Sequence, residues 1–79
     1  MRIEILGSGC AKCENLEANV RAAVASAGVQ AIVEKVSDDA RMRELGVLMT
    51  PALAIDGKIE SVGAVLSEQD VRNLIDGRT

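Results

Sequence analysis

The hydrophobic pattern of this chain changes period once, early and sharply, and that change limits the folds open to it. Residues 2–6 alternate as Arg2, Ile3, Glu4, Ile5, with Leu6 closing the run, which is the period-two pattern of a strand. Gly7-Ser8-Gly9 then breaks the run. From Cys10 onward the apolar residues fall on a helical stripe of Cys13, Leu16, Val20, Val24 and Ala27, and Gly28 sits where a helix C-cap belongs. The chain therefore opens with a strand, a tight turn and a helix over 10–27. Its only two cysteines, Cys10 and Cys13, lie at the junction.

Their spacing carries chemistry. Two residues three apart on a helix are neighbours, with Cβ atoms about 5–6 Å apart, and small local shifts bring such a pair to disulfide geometry. At 100° per residue Cys13 lies within about 20° of Val20, at the centre of the stripe, while Cys10 lies about 80° away at its edge. The periodicity thus predicts a buried Cys13 and an exposed Cys10. No histidine is present, which excludes a Cys-His nucleophile pair, a His acid or base and a Cys₂His₂ zinc site.

The rest of the chain continues the alternation of elements. Gln30 to Val36 is apolar and β-branched enough for a second strand, and Ser37-Asp38-Asp39 offers caps for a short helix ending near Leu45-Gly46. Ala52-Leu53-Ala54-Ile55, Asp56-Gly57 and Lys58-Ile59-Glu60-Ser61-Val62 read as a hairpin around a type I′ turn. Ser67 with Asp70 forms a capping-box pattern ahead of a last helix through Val71, Leu74 and Ile75, ended by Gly77. The order is β-α-β-α-β-β-α, an α/β chain with a mixed four-stranded sheet covered by helices. The first two strands are expected to be parallel and the last two antiparallel. At 79 residues this is one domain, 1–79, and without Phe, Tyr or Trp its core must be aliphatic.

Cys-x-x-Cys between the first strand and first helix, together with Thr50-Pro51 ahead of the hairpin, resembles the thioredoxin fold in its shortest form. The closest likeness is to the small thioredoxin-like or glutaredoxin-like redox-active disulfide proteins, over essentially the whole chain. Its most specific stretches are Gly9-Cys10-Ala11-Lys12-Cys13 and the run from Gly46 to Lys58. The resemblance implies a cis bond before Pro51, a proline set opposite the cysteine pair, and a Thr50 backbone that pairs with an extended partner segment. Gly9, Ala11 and Lys12 would flank the reactive sulfur on the partner-facing side. It further implies protein disulfides as substrates, a thioredoxin-reductase-like flavoprotein as electron donor, and no cofactor beyond the disulfide itself. Gly9 and Ala11-Lys12 depart from the Trp and Gly-Pro usual in thioredoxin, which leaves the redox potential open. Val62-Gly63-Ala64-Val65 departs from glutaredoxin's Gly-Gly-x-Asp-Asp, which argues against glutathione as substrate.

The expected activity is thiol-disulfide exchange in which Cys10 attacks and Cys13 resolves. A helix N-terminus and the neighbouring Lys12 favour the Cys10 thiolate, while burial keeps Cys13 protonated until needed. One alternative is a soft-metal module taking Cu(I) or Hg(II), since Gly7-Ser8-Gly9-Cys10-Ala11-Lys12-Cys13 also resembles the loop of heavy-metal-associated domains. Against it stand the missing Met before the first Cys and an order that ends strand-strand-helix. Another is a scaffold whose thiols are incidental. Met42 and Met49 read as core filling, and Asp38, Asp39, Arg41 and Arg43 as a capped, solvated helix. A net charge of −3 with scattered cations gives no footprint for nucleic acid or an anionic membrane. A cytoplasmic location is the expectation, because the N-terminus is too short and too charged for a signal peptide and a lone cysteine pair suits a reducing compartment; the chain is expected to act as a monomer.

Overall fold

The computed structural model of the chain describes residues 1–7 and 11–78. Its elements follow the order read from the sequence: β1 (Arg2–Leu6), α1 (Ala11–Ala27), β2 (Ile32–Val36), α2 (Asp39–Leu45), β3 (Ala52–Ile55), β4 (Lys58–Val62) and α3 (Glu68–Asp76). They form one mixed sheet in the order β2-β1-β3-β4. β1 and β2 are parallel and joined through α1, whereas β1–β3 and β3–β4 are antiparallel. Asp56 (φ 51°) and Gly57 (φ 83°) turn the β3–β4 hairpin, both with the positive φ that a type I′ turn requires.

Strand alternation assigns each face its helices. Ile3 and Ile5 stand opposite Ile55 and Leu53, and these four pack with Leu16, Val20 and Ala23 of α1 and Val71 and Ile75 of α3. Glu4 and Leu6 stand opposite Ala54 and Ala52, on the face covered by α2. There the buried apolar cluster is only Leu6, Ala52 and Ala54, bordered by half-buried Val36, Met42, Leu45, Val47 and Ile59. Among its described residues, α2 buries none completely.

A charge pair joins these few apolar contacts in holding the second face. Glu4 is buried in the middle of β1, and Arg41 clamps it from α2, with Nε donating to Oε2 at 2.9 Å and Nη2 to Oε1 at 2.8 Å. The small Ala54 beside Glu4 leaves room for this planar pairing. The third guanidinium nitrogen, Nη1, donates to Glu44 at 2.7 Å. Arg41 is therefore not one of the solvated charges that the sequence pattern suggests, because the face that alternation assigns to solvent is covered. The Arg41 hydrogen bonds hold the Glu4 carboxyl below its ordinary range although burial alone would raise it. The same pairing raises Arg41.

The helix ends follow the capping chemistry. The Asp38 carboxylate accepts from the Ala40 N–H at 3.0 Å, and Gly46 ends α2 in the left-handed conformation. Ser67 and Asp70 form the reciprocal capping box of α3. Three placements differ from the sequence reading. β2 begins at Ile32, because Gln30 and Ala31 precede the paired register with β1. Ala23 takes the fully buried place expected of Val24, which packs at the core's border. Met49 is exposed, since it lies in the segment between α2 and β3 and outside both core clusters.

Candidate functional site

The C-terminal end of β1 and the N-terminal end of α1 meet the segment that leads into β3. Gly7 extends the parallel ladder one residue past β1, its N–H donating to the Val36 carbonyl at 2.9 Å. Cys13 lies in the first turn of α1 and is 1% exposed, as the helical stripe predicts. Its sulfur sits over the α-carbon of Gly7: a Cβ built at Gly7 would come 2.5 Å from Cys13 Sγ, 3.4 Å from Thr50 Cβ and 3.8 Å from Pro51 Cα. One point in space thus borders the Cys13 sulfur, Thr50 and Pro51. The chain can occupy it only as glycine, with φ at +154°.

The Thr50–Pro51 bond is cis, with Pro51 buried and Thr50 exposed. Behind them, the Gly63 N–H donates to the Pro51 carbonyl at 2.8 Å, tying the end of β4 to the proline. Gly63 has φ +73°, and a Cβ there would meet the Met49 methyl carbon at 3.1 Å. Met49 thus lies across Gly63 while remaining 62% exposed, beside Leu48 at 95% and Val62 at 50%. This apolar rim continues from the sequence neighbours of Thr50 and Gly63.

Of the residues the sequence singles out, the structure brings together Cys13, Thr50 and Pro51. Ala11 and Lys12 are exposed on the first turn of α1. Gly9 and Cys10, and with them the exposure expected of Cys10, lie outside the described residues. The sequence reading missed Gly7, Gly63 and Met49. Gly7 looked like turn punctuation, and its packing role follows only once residues 43 positions away in the chain are placed beside it. Met49 carried a signal in being a large apolar residue directly ahead of Thr50-Pro51 in a segment with no helical or strand period.

The family model described as thioredoxin domain matches residues 1–76, nearly the whole chain. The chain belongs to the thioredoxin-domain family. It is similar to a thioredoxin of Methanothermobacter thermautotrophicus, with 37% identity over 75 residues covering 95% of this chain and 97% of that one. It is also similar to a thioredoxin of Methanocaldococcus jannaschii, with 36% identity over 70 residues covering 89% and 80%. The mixed four-stranded sheet with three helices among the described residues agrees with that membership. The soft-metal alternative finds no support in it, and the strand-strand-helix ending differs from the β-α-β-β-α-β order of heavy-metal-associated domains. Among the described residues no helix is long and apolar enough to cross a membrane.

Proposed function

We propose that this chain is a thiol-disulfide oxidoreductase acting on protein disulfides through reversible joining of Cys10 and Cys13. The observation that carries this reading is the buried Cys13 sulfur packed at Gly7 beside Thr50 and Pro51, in a chain of the thioredoxin-domain family whose sequence holds Cys10-Ala11-Lys12-Cys13. Cys10, as thiolate, attacks one sulfur of a partner disulfide. The partner's S–S bond breaks, a Cys10–partner mixed disulfide forms, and the first partner thiolate leaves and is protonated by water. Cys13 then gives up its proton to water and attacks the Cys10 sulfur, breaking the Cys10–partner bond. The second partner thiolate leaves, so the partner gains two electrons and the Cys10–Cys13 disulfide stores the oxidation.

The division of roles follows from access. Cys13, 1% exposed, is out of a protein partner's reach, and the resolving step asks it only to attack the sulfur of Cys10. The exposed Thr50 would pair its backbone with an extended partner segment, and Gly9, Ala11 and Lys12, the sequence neighbours of Cys10, would contact the partner. A thioredoxin-reductase-like flavoprotein would restore the dithiol. Reduction of insulin disulfides by wild type, Cys10→Ser and Cys13→Ser tests the reading. Loss of turnover in both variants is the expected result, and wild-type turnover in either contradicts it. The direction of electron flow is set by the potential of the pair: a value near about −270 mV marks a reductant and one near about −120 mV an oxidant.

A further inference from the structure

We infer that Gly7 is a positioning residue for the resolving step, setting where the Cys13 sulfur rests by offering it a bare α-carbon. The inference rests on the exchange reading above and deepens it. Gly7 is buried, anchored by its hydrogen bond to Val36, and faces Cys13 Sγ so closely that a methyl group there would lie 2.5 Å from the sulfur. Ordinary contact for such a pair is 3.4–4 Å, so a side chain at Gly7 must drive the sulfur about 1 Å out of its seat. The same methyl group would meet Thr50 Cβ at 3.4 Å and Pro51 Cα at 3.8 Å, both ordinary contacts. Among the described residues the closest conflict is therefore with the sulfur, and Thr50 stays at ordinary contact distance.

The consequence falls on one half of the reaction. Attack by Cys10 on a partner does not involve the Cys13 sulfur, the atom that a methyl group at Gly7 would displace. Resolution forms the Cys10–Cys13 bond and breaks the Cys10–partner bond, and it needs the Cys13 sulfur aligned behind the bond that breaks. A displacement of about 1 Å at a reacting atom costs on the order of a hundredfold in rate.

Ellman's reagent separates the two halves. Cys10 attacks the reagent and releases one thionitrobenzoate, leaving Cys10 in a mixed disulfide with the other; Cys13 then displaces the second as the Cys10–Cys13 bond forms. In Gly7→Ala the first release should proceed at a rate within about twofold of wild type and the second should slow by about 10–100-fold. A second release at the wild-type rate overturns the inference. Failure of Cys13→Ser to retain the mixed disulfide would instead overturn the exchange reading on which it rests.

Positive φ makes Gly7→Ala costly in itself, so a stability cycle accompanies the kinetics. Gly7→Ala should lower the unfolding midpoint more in the wild-type background than in Cys13→Ala, where no sulfur stands in the way. An equal loss in both backgrounds would mean that Gly7 serves only the backbone, and would overturn the inference even if the variant were too unstable for kinetics.

Discussion

On one face of the sheet, Ile3, Ile5, Leu53 and Ile55 meet Leu16, Val20, Ala23, Val71 and Ile75 in an aliphatic contact without a charge. On the other, Leu6 and two alanines lie under α2 while Glu4 reaches Arg41 through a two-pronged ion pair. A chain without aromatic residues has limited apolar area to bury, and this one spends most of it beneath α1 and α3. The seven-residue α2 is too short to hold by itself. It is held instead by caps, a few half-buried aliphatics and one directional charge pair. The candidate site draws on both faces: Cys13 stands on the well-packed α1, and Thr50-Pro51 ends the segment that leaves α2.

Substitutions that exchange what holds the two faces should reveal the difference. The largest effect is expected from Leu16→Ala, which empties a fully buried position and should lower stability by about 2–5 kcal/mol in urea unfolding. Met42→Ala, at the half-buried border beneath α2, should cost less than about half as much. Equal losses would erase the distinction between the faces.

The charge pair should show itself through pH. Glu4 titrates lower in the folded chain than in the unfolded one because Arg41 bonds its carboxylate. Its contribution is therefore complete above the unfolded value of about 4.3 and is lost as pH falls through the lower folded value. Urea midpoints measured across that acidic window should fall more steeply for wild type than for Glu4→Gln, while Leu16→Ala should keep the wild-type slope. Parallel curves for wild type and Glu4→Gln would show that the pair contributes nothing. Smaller still are the caps. Asp38→Ala and Ser67→Ala remove side-chain acceptors at the starts of α2 and α3 and should each cost about 1 kcal/mol in thermal or urea unfolding. Smallest is the exposed Arg72–Asp76 pair of α3, where Arg72→Gln should cost about 0.3–0.5 kcal/mol.

The element order was legible because each switch of period coincides with a turn or cap signal: Gly7-Ser8-Gly9, Gly28, Asp38, Gly46, Asp56-Gly57 and Ser67 with Asp70. Burial of Cys13 was legible for the same reason, being a property of one helix's stripe. The Glu4–Arg41 pair was not, because its partners lie 37 residues apart and alternation marks Glu4 as facing away from one core without saying that α2 covers the other side. Proximity of Pro51 to the cysteine region came from family resemblance, since no local period relates a proline to a sulfur across the sheet. The Gly7 seat was hidden for a related reason: a missing side chain leaves no pattern, and its meaning appears only when the sulfur lies over it.

The most direct test of the account is to challenge Cys13→Ser with a protein disulfide, trap the products with acid and map the linked peptides. A persistent one-to-one mixed disulfide through Cys10 is expected, with no such adduct on Cys13 when Cys10→Ser is challenged in the same way. A stable adduct on Cys13, or none on either variant, would contradict the assignment of Cys10 as attacker and Cys13 as resolver.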